Sequence, residues 1–369
     1  MKNFFWNVFQ DKKVLITGHT GFKGSWITSW LIKLGAEVTG FSLDIPTEPS
    51  MFKILNLESD INNVNGDVRN FRNISSCVST VQPDFIFHLA AQPIVSVSFE
   101  DPLGTFSTNV IGTANILECL RKLQHPCTCI LITSDKSYLN REWLWGYRED
   151  DILGGKDIYS GSKGAAELII KSMFHSYFEK SKILKIGIGR AGNVIGGGDW
   201  AKDRVIADAI RAWEDNKPIE IRNPLATRPW QHVLEPLSGY LLQAALLLKN
   251  ELTSGEALNF GPNESLSVTV EQIIKDISLV YGQKKSVLCY KKNDKKSFLE
   301  ASLLKLNCDK AGALLGWQPT LKYDEMVDFV GSWYREYKEC RSSAKKMTEL
   351  QIDNYQALAM ERNIAWATE

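Results

Sequence analysis

The sequence lacks any imbalance of charge: its 369 residues carry 43 basic and 43 acidic side chains. A protein whose main role is to grip nucleic acid or an anionic membrane needs a basic surplus, so the balance argues against both. Long apolar runs are missing too. The longest, roughly residues 237–248, is broken by Gly239, Tyr240 and Gln243. It falls short of the about 20 residues that a bilayer span takes. Residues 1–13 have one early lysine but no extended apolar region and no small-residue cleavage site, so no signal peptide is expected. Cysteines are few and scattered, at 77, 119, 127, 129, 289, 308 and 340. Only Cys127 and Cys129 are close, with no second Cys or His pair nearby, so no metal site is expected. Buried free thiols in a reducing cytoplasm are the expectation instead. With 44% hydrophobic residues and no repeat or low-complexity segment, the chain reads as a cytoplasmic globular protein of one large domain or two intimate ones.

A β-branched run, Lys13 to Thr17, ends in Gly18-His19-Thr20-Gly21-Phe22-Lys23-Gly24, and a helical pattern follows from Ser25 to Leu34. Strand, glycine turn and helix in that order let backbone amides approach a pyrophosphate where the helix dipole favours negative charge. Gly18, Gly21, Phe22, Lys23 and Gly24 are therefore candidate cofactor residues. A second strand, Glu37 to Phe41, should deliver a group that reads the adenosine ribose. Ser42 stands there with Asp44 two residues on, and the first cation after it is Lys53, which favours NAD over NADP. Asp67, followed by Val68, either caps the adenine edge or is a turn aspartate. A fourth strand, Asp84 to His88, runs on to Ala90 and Ala91, small enough for a cofactor to lie against the backbone. A long helix from about Gly104 to Lys122 carries Asn109, either as a polar group beside the catalytic strand or as a solvent-facing one.

A fifth strand, Cys129 to Ile132, delivers Thr133-Ser134-Asp135-Lys136. A helix opening near Tyr159 sets Tyr159 and Lys163 four apart, on one face. An ammonium beside a phenol favours the phenolate, which can take a proton from a sugar hydroxyl. Asp135 and Lys136 add a second acid and base. The intervening loop, 138–156, holds Trp143, Trp145 and Tyr147, which either roof the pocket or pack the loop. The fold class is α/β, a Rossmann-type doubly wound parallel sheet with a smaller C-terminal substrate-binding lobe. The expected division is a dinucleotide-binding unit over 1–190, to which 233–252 returns, a substrate lobe mainly over 191–340, and a peripheral tail over 341–369. His88 and His232 have no acid or thiol partner at ligand or triad spacing, so both are expected to be structural.

Gly18-x-x-Gly21-x-x-Gly24, Asp67, the Tyr159-x-x-x-Lys163 pair and the strand–helix alternation resemble the extended short-chain dehydrogenase/reductase family. Longer strings narrow the likeness along nearly the whole chain: GHTGFKGSW from Gly18, TSDK from Thr133, EWLWGYRE from Glu142, GNVIGGGDWAKDR from Gly192 and RPWQHVLEPLSGYLL from Arg228. These are similar to the 4,6-dehydratases that act on CDP-linked glucose. Departures from that pattern stand at Ser96, Ser137 and Ser302. The resemblance implies NAD as cofactor, Tyr159 as base for the hydroxyl on carbon 4, Lys163 on the nicotinamide ribose and Thr133 on the same hydroxyl as Tyr159. It further implies Lys136 as base at carbon 5 and Asp135 as acid to the hydroxyl leaving carbon 6. A CDP-sugar would lie in the second lobe, with Asn193, Arg204, Arg228, Asn259 and Glu300 as candidate contacts, each of which can alternatively tie the two lobes together. The resemblance also implies a homo-oligomer, dimer or tetramer. An epimerase needs the same cofactor and the same Tyr–Lys pair but not Asp135-Lys136, and a silent Rossmann binding protein needs neither pair.

Overall fold

The computed structural model describes residues 3–368 apart from 218, 222, 263–267, 284–290 and 293–302. Glu300 and Ser302 lie outside the described residues. Seven parallel strands form the central sheet: β1 (Lys13–Thr17), β2 (Glu37–Ser42), β3 (Asn62–Asn65), β4 (Phe85–His88), β5 (Cys127–Ile132), β6 (Leu184–Ala191) and β7 (Ala257–Phe260). Their order is β7-β6-β5-β4-β1-β2-β3. Val14 pairs with Val38 on one side and Phe85 on the other, so the order reverses at β1. Such a switch point leaves a crevice beyond the carboxyl ends of β1 and β4, the usual ligand position in this architecture. Val14, Leu15 and Ile16 are all fully buried. A parallel sheet covered on both faces accounts for β1 reading as a continuous apolar run rather than an alternating one.

Helices α1 (Phe22–Lys33), α2 (Phe71–Val81), α3 (Pro102–Phe106), α4 (Gly112–Lys122), α5 (Ile158–Met173), α6 (Val205–Glu214) and α7 (Leu234–Leu248) accompany the sheet. They are followed by α8 (Val270–Tyr281), α9 (Asp309–Leu315), α10 (Tyr323–Glu339) and α11 (Ala344–Glu361). Ile74, Ile116, Leu120 and Ile170, from α2, α4 and α5, share one core cluster with Leu15 and Ile86. Trp30 of α1 and Leu237 and Leu241 of α7 share the other with Val14 and Phe87. The predicted helix over 104–122 is α3 and α4 joined by a π-turn, Ser107–Ile111. Asn109 sits inside that turn.

Two departures from the expected division stand out. β7 lies within the stretch assigned to the substrate lobe, yet it extends the sheet beside β6, with Ala257 opposite Ile188. The stretch expected to be a peripheral tail is packed into the core. Ile352, Tyr355, Ala359 and Trp366 are fully buried. Trp366 stacks on Phe5 at 4.8 Å and meets Trp30 of α1 at 5.7 Å. The charged residues spread along α11 concealed this buried stripe, because its apolar side chains are widely spaced.

Candidate active site

The glycine turn between β1 and α1 closes tightly on its surroundings. Gly18 has a φ of +76°, and a Cβ there would stand 2.7 Å from the Ala90 nitrogen. A Cβ on Gly24 would come within 2.1 Å of the Gly18 carbonyl oxygen. Both positions thus require glycine, one for its backbone angle and both for close approach. The open N-terminus of the twelve-residue α1 faces the crevice, with Gly21 as its first flanking residue and no side-chain cap. This is the cradle that a dinucleotide pyrophosphate fits. Beside it, at the end of β2, a cavity of about 300 Å³ is lined by Thr20, Ser42, Asp44, Phe52, Glu58 and Asn63. Ser42 Oγ is 2.9 Å from His19 Nδ1, and His19 Nε2 is 2.8 Å from Asn63 Oδ1. The cavity lining, which carries neutral and acidic groups and no Lys or Arg, suits an unphosphorylated ribose.

Asp67 receives Arg69 Nε at 2.8 Å, and this bond holds its carboxyl below the usual aspartate range. Val68 is buried, its carbonyl accepting Asn115 Nδ2 at 2.8 Å. Ala90 N reaches Thr17 Oγ1 at 3.3 Å, and Ala91 continues along the same strand end. Asn109 does not face solvent. Its amide donates to Ser162 Oγ of α5 at 2.8 Å while its oxygen accepts Gln92 N at 2.8 Å. The π-turn thus points a polar side chain at the Tyr159 helix, locking it to the loop after β4.

Tyr159 and Lys163 are both buried on α5. The hydroxyl that meets Tyr159 is that of Ser134. Thr133 turns the other way and donates to Glu167 Oε1 at 2.5 Å. Successive side chains leaving a strand point to opposite sides, so only one of the two can face Tyr159. This corrects the assignment of Thr133 to the substrate hydroxyl, and the same alternation is the signal that would have selected Ser134. Burial pushes the Tyr159 phenol up, with the Ser134 hydrogen bond and the Arg204 charge pulling the other way. The expectation of an easily ionised phenol from Lys163 alone is therefore not met, because desolvation is the larger effect. Lys163 is itself brought down to about 8 by burial, against the charge of Glu167.

Asp135 is nearly fully buried and accepts Ser134 Oγ at 3.0 Å. Burial raises its carboxyl above the usual range, more than Lys136 and the Ser134 bond lower it. Lys136 is half-buried at the same short turn. Burial, together with Arg204, brings the ammonium of Lys23 down to about 7. Arg204 precedes α6 and acts electrostatically on Tyr159, Lys23 and Asp199, which places it at the catalytic end of the pocket.

The remaining candidates divide. Asn193 holds the segment after β6 through its carbonyl, which accepts Gln231 N at 3.2 Å. Arg228 lies in a short strand paired with Val268. Asn259 cannot meet a substrate. It is fully buried, its amide donates to Tyr147 O at 2.9 Å and Asn307 O at 3.0 Å, and its oxygen accepts Tyr138 OH at 2.8 Å. Its position at the end of β7, inside the sheet, consumes every polar atom it has. Trp143 stacks on Tyr147, which stacks on Tyr138, so two of the three loop aromatics pack the loop, while Trp145 is exposed. His88 bonds Thr17 and Thr113, and burial pushes it down to about 3. No metal-holding group of His, Cys, Asp or Glu occurs among the described residues. Nor is any helix among them long and apolar enough to cross a membrane.

Comparison with known proteins gives the same picture at larger scale. The CDP-glucose 4,6-dehydratase of Salmonella typhimurium is 44% identical over 335 residues, 90% of this chain and 92% of the relative. The UDP-glucose 4-epimerase of Mycoplasma pneumoniae is 23% identical over 88% of this chain and 97% of its own. Among solved structures, the Bacillus anthracis dTDP-glucose 4,6-dehydratase in complex with NAD shares the fold at a TM-score of 0.72 and 20% identity, covering 89% of this chain and 98% of that one. The Thermotoga maritima UDP-glucose 4-epimerase with UDP-glucose does so at 0.75 and 23%, covering 88% and 99%. The family model described as GDP-mannose 4,6 dehydratase matches residues 15–330, and by this match and the Salmonella relative the chain belongs to that family of nucleotide-sugar dehydratases, within the extended short-chain dehydrogenases/reductases.

Proposed function

We propose that this protein is a CDP-glucose 4,6-dehydratase, converting CDP-glucose to CDP-4-keto-6-deoxyglucose. The observation that carries the reading is the buried Asp135, held beside Tyr159 with Lys136 next to it. Epimerisation has no use for a second acid–base pair; loss of water does. The nucleotide rests on the likeness to the Salmonella enzyme.

When bound, NAD would supply a hydride acceptor for carbon 4 and a hydride donor for carbon 6, so none would be consumed. Gly18, Gly21 and Gly24 would clear the space for its pyrophosphate, Phe22 and Lys23 open the helix that would face it, and Ser42 would meet its ribose. Tyr159 takes the proton of the hydroxyl on carbon 4 as the hydride leaves. Ser134 hydrogen-bonds this phenol and steers it. Lys163 provides the cation that the phenolate needs. The new keto group acidifies the proton on carbon 5, which Lys136 removes and returns when carbon 6 is reduced. Asp135, whose carboxyl burial raises above the usual range, gives its proton to the hydroxyl leaving carbon 6. Asn193, Arg204 and Arg228 are the candidate contacts to the sugar and its diphosphate, with charge-assisted bonds from the two arginines.

Two further readings accompany this one. Leu103, Ile111 and Leu168 leave apolar surface exposed on α3, the π-turn and α5, which adjoin one another, and this supports pairing of two copies through these helices. The free cysteines, four of them buried, support a reducing cytoplasm. The decisive experiment is incubation of the purified protein with CDP-glucose, followed by mass measurement. A product lighter by one water supports the proposal; an isomer of unchanged mass assigns an epimerase, and unaltered CDP-glucose defeats it.

A further inference from the structure

Glu167 has no part in the reaction as written, yet few groups in the protein are held so firmly. It follows Lys163 by one helical turn on α5 and is almost wholly buried. Arg190 of β6 donates to it twice, from Nε to Oε1 at 2.7 Å and from Nη2 to Oε2 at 2.8 Å. Thr133, at the end of β5, adds a third bond to Oε1. Arg190 is fixed in turn by Tyr138 OH at 2.7 Å, by the Glu149 carbonyl at 2.9 Å and by the Tyr138 ring beneath it. Two strands and the loop after β5 therefore converge on one carboxylate behind the catalytic helix. Desolvating such a pair offsets most of its attraction, so stability is a weak account of it.

We infer that Glu167 is a positioning residue for the reaction: clamped by Arg190 and Thr133, its carboxylate keeps Lys163 in the ammonium form that the Tyr159 step requires. This rests on the proposed function, which takes Lys163 as the cation beside Tyr159. Lys163 is buried, and burial works against its charge; Glu167 is the group that opposes the loss. From other elements, Lys23 of α1 and His88 of β4 meet Lys163 electrostatically. Lys23 is a like charge, and His88 is neutral at ordinary pH because burial holds it near 3. Among the described residues, Glu167 alone favours the Lys163 proton. Thr133 thereby acquires a role at one remove from the substrate, as the hydroxyl that fixes the Glu167 oxygen nearer the sheet.

The test reads Lys163 directly and needs no substrate. Lysine labelled with ¹³C at Cε is followed by NMR through a pH titration, its signal identified by loss in Lys163→Met. In Glu167→Gln the Lys163 midpoint should fall by roughly one unit or more, the size of effect that a nearby opposite charge exerts. Glu167→Asp, which keeps the charge, should restore most of it. Because Glu167→Gln leaves Arg190 buried and unpaired, Glu167→Gln combined with Arg190→Met is measured as well, and its midpoint should fall too. An unchanged Lys163 midpoint in a folded variant lacking the carboxylate overturns the inference. The functional counterpart is NADH formation on mixing with CDP-glucose, whose alkaline limb should move to lower pH with the midpoint. Absence of NADH from the wild-type protein would count against the proposed function, whereas the titration judges Glu167 either way.

Discussion

Ser134 and Tyr159 share a hydrogen bond between their hydroxyls, although 24 positions of chain and a long loop separate them. The bond joins the end of β5 to the start of α5, so the phenol is aimed before any substrate arrives. Its neighbour Thr133 faces away and serves Glu167. Ser134→Ala should therefore slow NADH formation in a single turnover by about 10²-fold or more, the usual cost of a positioned proton-transfer group. Thr133→Val should leave the phenol correctly aimed and show a smaller loss. Equal losses in the two variants would contradict this division.

Tyr159→Phe deletes a proton acceptor and almost no volume. The variant should fold normally and bind CDP-glucose, as followed by calorimetry, while forming neither NADH nor product. The raised position of the phenol also sets a sign. As a base it works only when deprotonated, so the wild-type rate of hydride transfer should climb with pH through neutrality until Lys163, which is brought down to about 8, begins to lose its charge. Retention of most activity by Tyr159→Phe would remove this residue from the mechanism.

Asp135 and Lys136 act after oxidation. Lys136→Met should still form NADH with CDP-glucose, as an absorbance that persists, and should fail to exchange solvent deuterium into carbon 5. Asp135→Asn should also stall before loss of water yet retain that exchange, because Lys136 remains. Dehydration by both variants at near wild-type rates would refute the second acid–base pair.

Glu235, at the start of α7, is a buried carboxylate that plays no part in the chemistry. It accepts Thr320 N at 2.9 Å, Leu321 N at 2.6 Å and Tyr355 OH at 2.9 Å, and burial raises it from 4.5 to about 7. The folded state thus binds more protons than the unfolded chain between these two values. Stability contributed by this proton is full below 4.5 and is lost as pH rises through about 7. The decline should be of order 3 kcal/mol at most. Urea unfolding across that range should show it in the wild type, and Glu235→Gln should flatten the curve. A slope unaltered by that substitution would place the proton elsewhere.

Trp366→Ala should cost about 3–5 kcal/mol, as for other large core truncations. A peripheral residue would cost almost nothing, so a melting curve distinguishes the two directly.

The sheet and the cofactor turn were legible because each is a local pattern. Lys13–Thr17 followed by spaced glycines and a helix has few other solutions, and Tyr159 and Lys163 meet by helical spacing alone. Asn259 shows where such reading stops. An amide at a strand end looks available for a ligand until β7 is placed beside β6 and Tyr138, Tyr147 and Asn307 claim its atoms. Glu167 and Arg190 were invisible for the same reason, being partners only across two separate elements. Thr133 and Ser134 differ otherwise: strand alternation made them distinguishable, but only once the last residue of β5 was known.

The aromatic cluster of Phe5, Trp30, Tyr355 and Trp366 also orders events in time. Trp366 is made 336 residues after Trp30 and 361 after Phe5. Helix α1, which follows the cofactor turn, therefore waits with one flank uncovered until Trp366 has been made. Domains tend to fold from the N-terminal side as they emerge. Here that tendency is checked: the flank of α1 around Trp30 stays exposed to chaperones and proteases until synthesis has passed Trp366.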